Sequence, residues 1–134
     1  MVDSSVVIAA FDSGDGHHEA CRVLMGNGAM TLATLDLARY EVANVAARGW
    51  RKPGAVVPLL SAVDRIADDG GLVVSTNSLV RDAAELAVQH GISVHDASYV
   101  AAAAMGGRRL VSCDMRDLVS NGLAVLPTEA AEAS

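Results

Sequence analysis

Aromatic residues are nearly absent from this chain: one Phe, one Trp and two Tyr make up 3% of its 134 residues. Without aromatic rings the core must be aliphatic, and hydrophobic residues, largely Ala, Val and Leu, account for 51% of the sequence. This share argues against general disorder and suits helices packed on a buried sheet.

Long apolar runs are lacking too. None approaches the ~18 residues that a membrane helix needs, and the N-terminal segment Met1–Ser5 lacks the basic region of a signal peptide. The only two cysteines, Cys21 and Cys113, form no close-spaced metal or redox motif. We therefore expect a cytoplasmic protein with reduced thiols and no membrane contact.

Basic residues are also few. Ten Lys and Arg face sixteen Asp and Glu, which gives a formal net charge of −6. Taken alone, this charge argues against nucleic-acid binding, which a basic surface usually supports. The objection weakens if several carboxylates surround divalent cations, because bound metal reverses the local charge.

The length indicates one domain over residues 1–134, and only the tail Thr128–Ser134 is expected to fray. Short apolar runs alternate with helical patterns. Strands are predicted at Met1–Asp3, Leu72–Val74, Leu110–Ser112 and Leu123–Leu126, with a strand or helix lead-in at Thr31–Thr34. Helices are predicted at His17–Met25, Leu35–Arg48, Pro53–Ala67, Ser78–His90 and Ser93–Met105, with a helical turn at Asp114–Ser120. This alternation predicts a parallel sheet with helices on both faces, whose ligands bind beyond the carboxyl ends of the strands.

Two acids in the first third of the chain are candidates for such a site. Asp3 ends the first strand, and its structural alternative is an N-cap for the helix that follows. Glu41 lies within a helix, with Asn44 and Arg48 on the same side. Its alternative is a solvated flank with a local contact to one of those two residues.

Three further acids follow late in the chain. Asp96 stands three residues after Ser93, the spacing of a capping box, so a purely structural role is open. Asp114 follows a strand and Asp117 comes one turn later; their alternative is an N-cap with a first-turn acid. Carboxylates without a Cys or His set suit Mg²⁺ or Mn²⁺. Four acids cannot stay ionised together without a cation, so a shared site implies metal.

Other reactive residues are weaker candidates. His17 and His18 are neighbours on a helix, where adjacent side chains point about 100° apart and rarely share one ion. His95 is best explained as a helix-start residue. Cys113 precedes Asp114, but no base partner that would activate it as a nucleophile is evident.

From Met1 to about Pro127 the chain resembles the PIN-domain ribonucleases, in particular the VapC toxins of bacterial toxin–antitoxin pairs. Four stretches in this order carry the resemblance: Val2-Asp3-Ser4-Ser5-Val6-Val7-Ile8-Ala9, Glu41-Val42-Ala43-Asn44-Val45, His90 to Ala103 around Val94-His95-Asp96-Ala97-Ser98-Tyr99, and Leu110-Val111-Ser112-Cys113-Asp114-Met115-Arg116-Asp117-Leu118. Each motif alone is weak, whereas all four within a chain of this length are fairly specific.

The resemblance implies a three-layer α/β/α fold with a short-stranded parallel sheet. It also implies that Asp3, Glu41, Asp96 and Asp114 hold Mg²⁺ or Mn²⁺ and catalyse hydrolysis of RNA to 5′-phosphate and 3′-hydroxyl ends. Asp117 would be an additional metal-binding acid, with Ser5 and Asn44 in support. The implied partners are RNA, a cognate antitoxin that neutralises the toxin, and a second copy in a homodimer. Candidate contacts to RNA phosphates are the basic residues Arg39, Arg48, Arg51, Lys52, Arg108, Arg109 and Arg116.

Two other functions remain open. One is a catalytically degenerate PIN domain that only binds RNA or protein. The other is a different Mg²⁺-dependent phosphoryl-transfer domain, which would require a lysine near a late strand and, in the haloacid dehalogenase type, also Asp-x-Asp after the first strand. Here Asp3 is followed by Ser4-Ser5, and the single lysine, Lys52, precedes a middle helix. Apolar surface for a partner is expected at Ala29–Met30, Pro53–Ala67 and Val6–Phe11.

Overall fold

The computed structural model of the chain describes residues 1–132. Seven α-helices within that range surround a small sheet: α1 Ser4–Phe11, α2 His18–Gly26, α3 Leu37–Asn44, α4 Val56–Asp68, α5 Asn77–His90, α6 Val94–Met105 and α7 Pro127–Glu132. Two strands, β1 (Thr34–Leu35) and β2 (Leu72–Val73), are supplemented by two π-helices, Val45–Gly49 and Met115–Val119, and a 3-10 turn at Pro53–Ala55.

The sheet is parallel and very short. Thr34 of β1 lies opposite Leu72 of β2, and the Val2 amide donates to the Ala33 carbonyl at 2.8 Å. Parallel bridges then join Val2 to Val111 and Val111 to Val125. The spatial order is therefore β2, β1, Val2, Val111, Val125, and the direction of winding reverses between Val2 and Val111. Ligands of open α/β sheets bind at such a reversal, beyond the carboxyl ends of the strands.

Helices cover the two faces of this sheet. Helices α1 to α4 pack against one another, and α5 packs along α6; α4 and α6 both contact β1. The expected three-layer α/β/α arrangement is confirmed. The core is aliphatic, with Tyr99 as its one fully buried aromatic residue among residues 1–132. No helix in that range is long and apolar enough to cross a membrane.

Several element boundaries differ from the sequence-based expectation. The segments around Val111 and Val125 make single bridges rather than three- or four-residue strands. Leu35 belongs to β1, and the helix expected over Leu35–Arg48 changes to π geometry at Val45. The Trp50 amide donates there to the Val45 carbonyl, five residues back, at 2.8 Å. Hydrophobic periodicity indicates helical winding but does not distinguish α from π geometry.

The C-terminal tail and the expected apolar surface also differ. Residues 128–132 belong to α7, which packs on α2 and buries Ala130; residues 133 and 134 lie outside the described part. Part of the apolar surface expected for a partner is instead in the core, because α1 buries Val6 and Val7 and α4 buries its Leu59–Ile66 face, whereas Ala29, Phe11 and Val57 are exposed.

Candidate metal centre at the carboxyl edge of the sheet

Three carboxylates converge near the winding reversal. One oxygen each of Asp96, Asp114 and Asp117 lies within 4.8 Å of the other two. Asp96 occupies the first turn of α6, and its amide donates to Ser93 Oγ at 3.0 Å. Asp114 caps the π-helix Met115–Val119 by accepting the Asp117 amide at 3.0 Å. Two helix starts therefore bring their acids to one point.

Asp3 is not one of the three acids whose oxygens converge, and it is only 5% exposed. Ser112 Oγ donates to its Oδ2 at 2.5 Å, and Ser5 Oγ donates to its Oδ1 at 2.5 Å. The same two hydroxyl oxygens also accept hydrogen bonds from the backbone amides that follow Ser112. The Cys113 amide donates to Ser5 Oγ at 2.9 Å, and the Asp114 amide donates to Ser112 Oγ at 3.0 Å. Asp3 thereby fixes the segment that carries Asp114.

Glu41 approaches from α3. The buried phenol of Tyr99 on α6 donates to Glu41 Oε1 at 2.6 Å, which orients the carboxylate and leaves its other oxygen available. The sequence suggested a local contact of Glu41 with Asn44 or Arg48, whereas the observed partner of Glu41 is the Tyr99 hydroxyl. Asn44 is exposed, and its side chain makes no hydrogen bond to these acids within residues 1–132.

The pKa shifts show that the acids repel one another. Burial raises the pKa of Asp3 to about 6, despite the hydrogen bonds it accepts from Ser112 and Ser5, and the charge of Asp96 adds to the increase. The pKa of Asp96 is also raised, first by burial and then by the charges of Asp114, Asp117 and Glu41. Asp96 is thus within electrostatic range of each of the other four predicted acids.

Little positive charge offsets this cluster. Within the described residues, Arg116 is the basic side chain paired with it, at 3.6 Å from Asp117. Arg116 is 93% exposed, so solvent screens the pair and it contributes little. Oxygen ligands that converge without a matching cation suit a hard divalent ion such as Mg²⁺ or Mn²⁺. The residues present therefore fit the implied metal.

The capping alternatives are also observed. Asp3 accepts the Val6 amide at 3.4 Å at the start of α1, and Asp114 accepts that of Asp117. A capping bond occupies one oxygen lone pair, and a carboxylate has about four. Capping and metal binding are therefore compatible in these residues, and the cap sets the direction in which the carboxylate points.

The basic residues expected to contact RNA are dispersed. Arg39 is ion-paired with Asp64 at 3.3 Å. Arg108 and Arg109 lie beside the Met1 ammonium group, which donates to the Arg109 carbonyl at 3.0 Å. Burial, and after it the charges of Arg108 and Arg109, lower the pKa of that group. Met1 precedes the bridge residue Val2, and Arg108 and Arg109 precede the bridge residue Val111. Both arginines are therefore at the amino edge of the sheet, opposite the acids. Arg116 is at the acid edge.

Sequence reasoning missed two residues of the centre, Ser112 and Tyr99. Ser112 had a weak signal, since it is the last residue of a predicted strand and lies two positions before an acid. Tyr99 follows Asp96 by three residues, and that spacing places both on one side of α6. Neither signal identifies the partner, because Ser112 meets Asp3 across 109 positions and Tyr99 meets Glu41 across 58.

Comparison with known proteins identifies the family of the chain. The PIN domain family matches residues 1–120, and the chain belongs to that family. It is 34% identical over 118 residues to "Ribonuclease VapC3" of Pyrobaculum aerophilum, an alignment that covers 85% of this chain and 88% of that protein.

Solved structures share the fold. A toxin–antitoxin complex from Klebsiella pneumoniae superposes with a TM-score of 0.67 at 17% identity, covering 94% of this chain and 95% of that one. A protein from Pyrobaculum aerophilum superposes with a TM-score of 0.68 at 21% identity, and the alignment covers 98% of this chain and 92% of that one. VapC20 of Mycobacterium tuberculosis, described as a sarcin–ricin loop cleaving toxin, superposes with a TM-score of 0.67 at 21% identity. The alignment covers 90% of this chain and 93% of that one.

The raised pKa of Asp3 predicts a pH dependence for the metal-free protein. Because folding favours the protonated carboxyl, its contribution to stability is fully present below about pH 4 and is lost as pH rises through about 6. A shift of roughly two pKa units corresponds to about 3 kcal/mol. Asp3→Asn should therefore gain about that much unfolding free energy relative to wild type between pH 4 and pH 8, measured by urea denaturation with chelator.

The difference between the two proteins is the relevant quantity. The Met1 ammonium group, whose pKa is lowered to about 6, shifts stability in the opposite direction with pH and cancels in the comparison. A difference that stays constant from pH 4 to pH 8 would contradict the burial of an ionisable Asp3.

Proposed function

We propose that this protein is a metal-dependent endoribonuclease of the VapC toxin type, acting in the cytoplasm. The observation that carries the proposal is the convergence of Asp96, Asp114 and Asp117 at the winding reversal of the sheet. The 34% identity to a protein named as a ribonuclease supports RNA as the substrate class. The two free cysteines support a reducing compartment.

In this proposal the five acids together bind Mg²⁺ or Mn²⁺. Asp96, Asp114 and Asp117 supply the exposed face of the site, and the Tyr99 hydroxyl presents Glu41 from the side. Asp3 Oδ1 accepts hydrogen bonds from both Ser5 and the Val6 amide, so the lone pair that remains for an ion is on Oδ2, which accepts Ser112 alone. When bound, the ion lowers the pKa of a coordinated water and neutralises charge on the phosphate.

The chain's own residues have separate roles in this reaction. Ser5 and Ser112 are positioning residues, because their hydroxyls connect Asp3 to the backbone at Cys113 and Asp114. The cap hydroxyl of Ser93 orients the first turn of α6 and so places Asp96. Arg116, exposed next to Asp117, is the basic residue best placed to contact an RNA phosphate.

Removal of one acid tests the catalytic role. Asp96→Asn should lower cleavage of a synthetic RNA in Mg²⁺ or Mn²⁺ by more than about 100-fold, since loss of a ligand should cost at least as much as loss of a supporting contact. It should leave the metal-free fold as stable as wild type or more so, because it removes a like charge. Chelator should abolish wild-type cleavage.

Ser93→Ala is the matched control for the capping alternative. It removes the hydroxyl that accepts the Asp96 amide but keeps the carboxylate, so it should cost about 1 kcal/mol of stability and retain cleavage. If Asp96→Asn unfolds the protein instead, Asp96 is structural. If wild type cleaves no RNA in either metal, the chain is a degenerate PIN domain that only binds.

We also propose a cognate antitoxin that inserts a basic side chain among the acids, and a homodimer. The uncompensated charge of the acid cluster supports the first, since an Arg or Lys there would pair with carboxylates. Exposed apolar side chains such as Tyr40 (80% exposed), Val57 (69%) and Val74 support a covered surface.

Light scattering at micromolar concentration should therefore give twice the monomer mass. Addition of a basic antitoxin segment should inhibit cleavage in wild type, and the segment should bind Asp96→Asn more weakly. A monomeric protein whose cleavage no candidate antitoxin affects would contradict both partners and leave the nuclease proposal intact.

A further inference from the structure

The fold brings the two cysteines together. They are 92 positions apart in sequence, yet Cys21 Sγ lies 3.6 Å from Cys113 Sγ, and both are free thiols. Cys21 is on the buried side of α2, and Cys113 stands between Ser112 and Asp114 at the edge that carries the acids. Sequence spacing gave no indication of this pair.

We propose that Cys21 and Cys113 are a redox modification site, which a hydroperoxide converts to an intramolecular disulfide. A disulfide needs an S–S distance near 2.05 Å, so the sulfur atoms must approach by about 1.5 Å from the observed 3.6 Å. Rotation of the two side chains with a small backbone shift would supply this, since the thiols already contact each other.

The difference in exposure between the two thiols sets the order of the reaction. Cys113 is half-buried and can meet an oxidant, whereas Cys21 is fully buried. The Cys113 thiol reacts with hydrogen peroxide to give a sulfenic acid and one water. The Cys21 thiol then attacks the sulfenic sulfur, which forms the S–S bond and releases a second water. Each disulfide consumes one peroxide and removes two hydrogens from the protein.

The disulfide would constrain the segment that bears the acids. The Cys113 amide donates to Ser5 Oγ on α1, whereas the Asp114 amide donates to Ser112 Oγ two residues back in the same segment. A covalent link from Cys113 to α2 would suppress local opening of residues 113–117. It would also close a loop of about 92 residues, which restricts the unfolded chain and raises the unfolding temperature.

The test uses the full chain with chelator and one equivalent of hydrogen peroxide under native conditions. We expect intact mass to fall by about 2 Da, both thiols to become unreactive, the monomer-to-oligomer ratio to stay unchanged, and the unfolding temperature to rise. Dithiothreitol should reverse all of these changes. A wild-type protein that retains two reactive thiols, or links only between chains, would overturn the proposal.

Single variants separate the two sulfur atoms. Cys21→Ala should accumulate a sulfenic acid at Cys113 that dimedone traps, and Cys113→Ser should leave Cys21 unoxidised. If Cys21→Ala fails to fold, the wild-type mass measurement still decides. Amide hydrogen exchange at Asp114 and Asp117 should be slower in the oxidised protein than in the reduced one, and equal rates would overturn the claimed constraint. None of these readouts depends on nuclease activity.

Discussion

The structure depends on a buried carboxylate at the point where the winding of the sheet reverses. Asp3 must end the first parallel segment, begin α1 and accept two serine hydroxyls at once. Those hydroxyls hold the backbone at Cys113 and Asp114 and thereby set where Asp114 and Asp117 point. A charged group is costly to bury, and the raised pKa of Asp3 shows that its hydrogen bonds only partly offset this cost. A cation bound to Asp3 would offset the rest of the cost of burying its charge.

The same electrostatics answer the objection raised by net charge. A chain with a formal charge of −6 repels RNA unless its negative charge is gathered and neutralised where the phosphate must lie. Burial, and after it the charges of neighbouring acids, raise the pKa of Asp96, while two of the few arginines lie at the opposite edge of the sheet. Cation binding would therefore both relieve repulsion in the fold and supply positive charge where the phosphate must lie.

Much of the fold was predictable because its signals are local. Helices α2, α4, α5 and α6 followed from periodicity and caps, and Ser93 and Gly91 mark boundaries by a side-chain cap and a left-handed φ of 65°. The strands were located but overestimated in length, since the chain leaves the sheet after one or two residues. The π geometry at Val45–Gly49 and the burial of α7 depend on packing and had no local signal.

The site was predictable to a different degree. The acids could be chosen because each follows a predicted strand, starts a helix or matches a family motif. Their supports could not, because Tyr99 with Glu41, Ser112 with Asp3 and Cys21 with Cys113 are contacts between distant parts of the chain. A single sequence specifies which residues can be ligands, whereas their mutual orientation follows from the order in which the parallel segments lie side by side.

The central claim is that these acids form one cation site, and the most direct test is Mn²⁺ binding followed by electron paramagnetic resonance. Wild type should bind Mn²⁺ saturably, Asp114→Asn should bind it at least about ten-fold more weakly, and Asp64→Asn, which alters an acid paired with Arg39 elsewhere, should match wild type. Binding near pH 6 should release protons, because the raised pKa of Asp3 leaves it partly protonated there. Absence of saturable binding at millimolar Mn²⁺, or equal binding by wild type and Asp114→Asn, would contradict the account.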